Sequence, residues 1–265
     1  MVNKDKHQVS PYPASRIATV DLGQVALRKH HIAGLLEVDV TNALTRLKEQ
    51  SKAKQGVSFF AWFVKLIGAV VAENRYVHAM SRGKKSTVVF DDVDISIVVE
   101  RKVEGVRVPL PLVIRRANEK SVDDIYTEIR AAQKQAILNE GNYVLSENRV
   151  SRSAMKLYYA LPQRLRLFLL NRILRNPFRR KNMMGTVMVT SIGSAGTLPG
   201  WIIPKAMHNL CFALGSIVKK PRVVENEIRI RDILHLTILF DHDVVDGIPA
   251  ARFAARLVER IEEGT

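Results

Sequence analysis

The stretch FDHDVVDGIPAARF, Phe240 to Phe253, decides how the chain is read. A β-branched and apolar run, IRIRDILHLTILF, ends at Phe240. An amphipathic pattern begins near Gly247, with Ala250, Phe253, Ala254, Leu257, Val258 and Ile261 on one helical face. His242 therefore sits in a strand-to-helix connection, where rigid neighbours can hold a catalytic side chain. An imidazole with an unperturbed pKa near ~6.5 is largely neutral at pH 7 and can accept a proton. Asp246, four residues on, either caps the helix or pairs with a buried arginine. A capped turn with Pro249 in the first helical turn explains the same residues without any chemistry. On these residues alone both readings stay open.

The 265 residues suit one large domain or two small ones, with a substantial core. Cys211 is the lone cysteine, which excludes an internal disulfide framework; within NLCFALG it reads as a buried, inert thiol. MVNKDKHQVSPYPAS lacks the apolar centre of a secretory signal, so residues 1–15 read as a loose arm and the protein as cytoplasmic. FFAWFVKLIGAVVA, Phe59 to Ala72, is too short to span a bilayer and carries Lys65; it reads as a buried helix.

Further along, LLEVDVTNALTRLKEQSKAKQG predicts a short strand from Leu35, then a helix capped by Thr41 or Asn42 and ended by Gly56. STVVF and VDISIVVE predict strands. Pro109 and Pro111 in RVPLPLVIR confine that segment to a sheet edge or an irregular extended run. A helix starts at Ser121, with acids in its first turn. GTVMVTSIG, Gly185 to Gly193, is a strand entering a glycine-rich loop, and two more strands follow, joined at Glu225-Asn226-Glu227. The pattern is mixed α/β in a single domain with an insertion at about 138–183. GSAGTLPG lacks the ending of a P-loop, no G-x-S-x-G elbow occurs, and the seven histidines show no metal-ligand spacing, so no metal is expected.

D-H-x-V-V-D-G followed by A-A-x-F resembles the C-terminal signature of the acyltransferase (E2) catalytic domain of 2-oxo acid dehydrogenase complexes. That fold is shared with chloramphenicol acetyltransferase. GTVMVTSIG is similar to the family's G-T-F-T-I-S strand. EVDVT, the apolar helix from Phe59, VDISIVVE and VPLPLVIRRANEKSVDDI also have counterparts in the same order. The likeness covers most of residues 15–135 and 184–265. It implies a chloramphenicol-acetyltransferase-like mixed sheet flanked by helices.

By resemblance His242 is the general base that deprotonates a thiol or hydroxyl, which then attacks an acyl thioester. The family's oxyanion-donor serine falls on Thr190, fifty-two residues before His242, with the hydroxyl kept and a β-branch added. Ser191 is the weaker candidate, because it points to the opposite face of the strand. Asp246 matches an acid with an architectural role, and Arg16 is its candidate partner. The resemblance also implies a homotrimer with its active site between subunits. Coenzyme A thioester is the expected substrate, with lipoamide supplied in trans as an option.

Two departures stand out. Asp243 occupies a place usually held by arginine, and no lipoyl or subunit-binding domain is expected ahead of the catalytic part. The second favours an enzyme acting alone on a CoA thioester and a small acceptor, while Asp243 and the threonine in the serine's place favour a competing class. The competing class is a non-catalytic trimeric scaffold.

The insertion is the other distinctive feature. The net charge is +15, yet Arg149 to Asn182 holds ten Lys/Arg and no acid, so the basicity is local. If LPQRLRLFLLNRILR is one helix, Arg164, Arg172 and Arg175 fall within about 80° of one another, with Arg166 interrupting the apolar remainder. Such a helix packs on the domain or against a trimer neighbour, makes peripheral contact with an anionic membrane through 149–182, or meets an acidic protein partner. Nucleic acid is excluded as a partner by the leucine content and the lack of a recognisable module.

Overall fold

Two long antiparallel strands, Leu210–Val224 and Glu227–Asp241, organise the rest of the chain. Glu225 and Asn226 join them at φ 52° and 63°, the left-handed pair that a two-residue hairpin needs to follow the right-handed twist of its strands. The computed structural model describes residues 12, 14–53, 58–83, 85–103, 106–134, 157–193, 196 and 198–264. In chain order its elements are α1 (Ala14–Ala26), β1 (His31–Asp39), α2 (Thr41–Ala53), α3 (Phe59–Glu73), β2 (Met80–Arg82), β3 (Ser86–Val88), β4 (Ile95–Val103) and β5 (Val106–Ile114). Then come α4 (Val122–Lys134), α5 (Gln163–Leu174), α6 (Pro177–Met184), β6 (Val187–Ser191), the hairpin strands β7 and β8, and α7 (Gly247–Glu263). Most of the expected arm, Gly56 and residues 135–156 lie outside the described residues.

Six strands form a mixed sheet in the order β1-β8-β7-β6-β4-β5, with β2 and β3 as a separate hairpin. β6 runs parallel to both neighbours, and the other pairings are antiparallel. The proline-bearing β5 takes an edge, as expected of residues that lack an amide donor. β1 begins at His31 and not at Leu35, because its first residues pair with Phe240 and Asp241 of β8 despite their weak apolar pattern.

Helices α2, α3, α4 and α7 cover one sheet face. Val38, Ile95, Ile97, Val187, Val189, Phe212, Leu236 and Ile238 pack there against Phe63, Ile67, Ile125, Phe253 and Leu257. Each such side chain removed from water contributes about 1.5–3 kcal/mol. α3 is buried along most of its length, and Gly68 lets it approach the chain at Ala117: a Cβ there would lie 2.9 Å from backbone. Among the described residues no helix is long and apolar enough to cross a membrane.

Local signals set the helix ends. The Ser121 hydroxyl accepts from the Asp124 amide, and the Asp124 carboxylate is held below its usual range first by the hydrogen bond from the Ser121 hydroxyl and then by that from the Ser121 amide. At α2 the capping side chain is Asp39, which accepts from the Thr41 amide at 2.9 Å. The Thr41 hydroxyl, expected to cap, instead accepts from the Asp232 amide and ties the helix to β8.

The other sheet face is covered differently. Ala206, Cys211 and Leu239 form a small cluster there with Met188. α1 packs against α5 through Val25, Ala26, Leu170, Leu174 and Met207.

Candidate active site

β8 ends at Asp241, and the next residues turn sharply: the Val244 and Val245 amides both donate to the Asp241 carbonyl at 3.0 Å. Val245 is buried in the core and draws the turn inward. The His242 amide donates to the His30 carbonyl at 2.9 Å, fastening the turn to the segment that enters β1. His242 is thus held through its main chain while its side chain is exposed.

Beneath it lies a buried polar cluster. Asp241 has no exposure and accepts from Lys29 Nζ at 2.5 Å, and the same ammonium donates to Asn209 Oδ1 at 2.7 Å. Arg180 also donates to Asn209 Oδ1, at 2.7 Å, and Asn209 Nδ2 donates to the Ala79 carbonyl. Burial, and then the nearby Arg180, hold the Lys29 ammonium below the ordinary lysine value against the pull of Asp241. A buried acid paired with the mostly buried Lys29 and near the buried Arg180 offsets charge that would otherwise be costly to enclose.

Asp243 is exposed and makes its hydrogen bond outside this cluster. Its carboxylate lies 2.9 Å from His30 Nδ1, and that hydrogen bond, reinforced by its charge, raises the His30 pKa. The acid next to the candidate base therefore has a partner of its own. Asp246 is the N-cap residue of α7 in extended conformation, but its exposed side chain makes no capping bond. No ion pair joins it to Arg16, which is exposed on α1, within the described chain.

Thr190 is half-buried on β6, on the face opposite the helical core, in one row with Ala213 and Thr237. Ser191 belongs to the core-side face and lines a cavity of about 350 Å³ with Phe59, Phe60, Gly193, Gly215 and Ser216. Its hydroxyl accepts from the Gly193 amide at 3.1 Å. The cavity owes its shape to a β-bulge between Leu214 and Ile217 and to Gly215, where a Cβ would lie 2.5 Å from the Gly200 carbonyl oxygen.

The register also separates Thr190 from His242. Thr190 is level with Thr237 across two strands, and His242 lies five residues farther along the chain, one past the end of β8. At ~3.3 Å per residue and ~4.8 Å per strand step the two are on the order of 15–20 Å apart. One chain does not bring them together.

Sequence reasoning missed the Lys29–Asp241–Asn209–Arg180 cluster, whose members are far apart in the chain, and the cavity beside Ser191. The glycines flanking that strand end were the available signal for the cavity. Cys211 is buried, and burial pushes its thiol up to about 12, which removes it as a nucleophile. His208 is buried and pushed down to about 4, so it is neutral. Among the described residues no three His, Cys, Asp or Glu side chains group as metal ligands.

Comparison with known proteins places this geometry. The chain matches the family described as 2-oxoacid dehydrogenases acyltransferase (catalytic domain) over residues 13–142 and 169–265. It is 26% identical over 276 aligned positions to the lipoamide acyltransferase component of the branched-chain alpha-keto acid dehydrogenase complex of Bacillus subtilis (strain 168). That alignment covers 96% of this chain and 55% of the relative, so the chain spans about half the length of the relative it matches. A solved dihydrolipoamide acetyltransferase of Azotobacter vinelandii superposes with TM-score 0.69 at 18% identity, covering 98% of this chain and 92% of that one. Its catalytic mechanism was investigated at a serine, at a histidine fifty-two positions later, and at an asparagine four beyond that. Chloramphenicol acetyltransferase superposes with TM-score 0.51 at 12% identity, covering 97% of each chain.

Proposed function

The chain belongs to the 2-oxoacid dehydrogenase acyltransferase family, within its catalytic domain, and we propose that it transfers an acyl group with His242 as general base and Thr190 as oxyanion donor. The observation that carries this reading is the exposed imidazole on a turn clamped by the His30 carbonyl and the buried Asp241. The spacing supports it: Thr190, His242 and Asp246 repeat the intervals of the three residues investigated in the Azotobacter acetyltransferase.

The donor is a thioester of coenzyme A, or of lipoamide supplied in trans, and the acceptor a thiol or hydroxyl. A thiol of pKa near ~8.5 is mostly protonated at pH 7. His242 removes that proton as sulfur or oxygen attacks the thioester carbonyl carbon. The carbonyl oxygen takes up negative charge and receives the Thr190 hydroxyl hydrogen bond. When the intermediate collapses, the carbon–sulfur bond to the donor breaks and the departing thiolate takes the proton from the imidazolium. Asp246, whose side chain makes no capping bond, plays no part in proton transfer.

Because one chain keeps His242 and Thr190 apart, the site is completed by a second copy, in a trimer with each histidine facing a neighbour's threonine. Leu35 and Val98 are exposed apolar residues on the Thr190 face of the sheet, and they are candidates for that contact.

The test is thiol release from a panel of acyl-CoAs with thiol and hydroxyl acceptors. His242→Ala is expected to lower kcat by roughly 10²–10⁴-fold, and Thr190→Ala by on the order of 10²–10³-fold, with Thr190→Ser retaining activity. Mixing the two inactive variants under conditions that exchange subunits should restore part of the rate. Unchanged turnover in His242→Ala would remove the base assignment, and no turnover with any donor would favour a non-catalytic scaffold.

A further inference from the structure

Helix α5 presents three different surfaces. Its inner side chains, Leu167, Leu170 and Leu174, pack against α1 and Met207. Arg166 turns to Asp21 on α1, donating to its two oxygens at 2.7 and 3.3 Å, while Tyr158 and Gln163 donate to the same carboxylate. Asp21 has no exposure, so this pair fixes the helix in the fold and consumes that acid completely. The third surface faces solvent and carries Arg164, Leu165, Phe168, Leu169, Arg172 and Arg175.

A cavity of about 440 Å³ opens on this surface, lined by Arg28, Arg164, Leu167, Phe168, Asn171, Arg172 and Arg175. Its size is that of a small-ligand site. Four of the seven lining residues are arginines and none is acidic. Among the described residues none of the four forms an ion pair, whereas Arg166, Arg180 and Lys181 of the same basic segment are engaged with Asp21, Asn209 and the Asp92–Asp94 pair. The fold thus supplies internal partners for the basic residues that face inward and gathers the others around one opening. Like charges so placed repel one another until an anion enters between them. Guanidinium groups suit phosphate in particular, because their planar donors pair with two oxygens at once.

The surroundings of the opening specify which phosphate. Phe168 is 63% exposed, and Leu165, Leu169 and Leu157 are also exposed nearby in the chain. Large apolar side chains interleaved with arginines on one helix surface fit the boundary between headgroups and acyl chains. A free phosphate in water would leave those side chains without a function. We propose that this cavity binds the phosphate of an anionic phospholipid and seats α5 at a membrane surface, with Phe168, Leu165 and Leu169 entering the interface. The cavity shares no lining residue with the histidine turn, and its test does not read acyl transfer.

The experiment is co-sedimentation of the whole protein with vesicles of equimolar phosphatidylglycerol and phosphatidylcholine, against vesicles of phosphatidylcholine alone. Binding is expected only to the anionic vesicles. It should weaken steeply with salt, as the Debye length falls from about 10 Å at 0.1 M to about 3 Å at 1 M. The triple variant Arg164→Gln, Arg172→Gln, Arg175→Gln should bind roughly a hundred-fold more weakly, at roughly a factor of five per basic residue near an anionic surface. Phe168→Asp should also reduce binding while leaving those arginines in place. All four positions are exposed, so the melting temperature should stay close to that of the parent.

Four results would overturn the proposal. They are no sedimentation with anionic vesicles at low salt, triple-variant binding equal to the parent's, and a change in the triple variant's oligomer size, which would mark a subunit contact. The fourth is saturation by inorganic phosphate or coenzyme A without any vesicle binding, which would mark a soluble ligand.

Discussion

The histidine turn and helix α5 are both held by a buried acid, and they differ in what they leave exposed. Under the turn, Asp241 binds Lys29; under the helix, Asp21 binds Arg166. Both anchors reach the same short stretch of chain, α1 and its exit. Around the turn the acids beside His242 are matched, Asp241 by Lys29 and Asp243 by His30, while the imidazole itself is exposed. Along α5 the opposite holds, since four arginines gather around one opening without acids. The difference teaches that the two regions serve different physics. A base needs a fixed position and a quiet electrostatic surrounding, whereas an anion site needs uncompensated charge.

The strongest way to break this contrast is to remove the anchor under the turn. Asp241→Ala leaves Lys29 and Arg180 buried near each other without their acid, and losing one partner of a buried pair costs about 3–5 kcal/mol. The variant should melt well below the parent, and the folded fraction should also lose acyl transfer, because the turn that carries His242 starts at this residue. Adding Lys29→Met removes the orphaned ammonium and should recover part of the stability, read by denaturant titration. A stability loss with kcat intact would show that the cluster does not position the base.

Asp21→Ala tests the other anchor. It leaves Arg166 facing an apolar contact between α1 and α5, for a cost of about 3 kcal/mol by the same argument. Here the losses should divide differently: vesicle binding falls with the helix, while kcat in the folded fraction stays near the parent value. An equal drop in kcat would mean that the two regions are coupled through α1, and the contrast between them would fail.

Much of this was readable in the chain because it depends on neighbours in sequence. Pro109 and Pro111 placed β5 at an edge, Glu225 and Asn226 marked the hairpin, and the apolar positions of α7 matched its buried side. The angular clustering of Arg164, Arg172 and Arg175 was likewise legible from helical period, and the structure puts them around one cavity. Long-range pairing was not legible. Lys29 meets Asp241 across 212 residues, and Arg166 meets Asp21 across 145, and no local pattern announces either contact. Arg166, which in sequence only interrupted an apolar face, is in fact the residue that docks the helix. β1 was read four residues short because His31 and its neighbours enter the strand through pairing with β8 and not through hydrophobic alternation.

The finest test concerns Asp243, where arginine is usual in the resemblance that the motif carries. Its carboxylate is bound to His30 at 2.9 Å, so its charge is directed to that imidazole. The His30 pKa is raised above 6.5, first by this hydrogen bond and then by the charge of Asp243. A histidine whose folded pKa exceeds its unfolded value adds stability that is full below ~6.5 and is lost as pH rises through the folded pKa. Asp243→Asn should therefore return the His30 titration, followed by NMR, toward the ordinary histidine value. The same variant should lose the small extra stability of the parent at mildly acid pH and match it above neutrality. Because the pair lies at the surface, the thermal effect should be slight, and the pH profile of acyl transfer should barely move. A shift of that profile comparable to the shift of His30 would show that Asp243 acts on His242 after all, and that the turn's charges are not matched as the structure shows them.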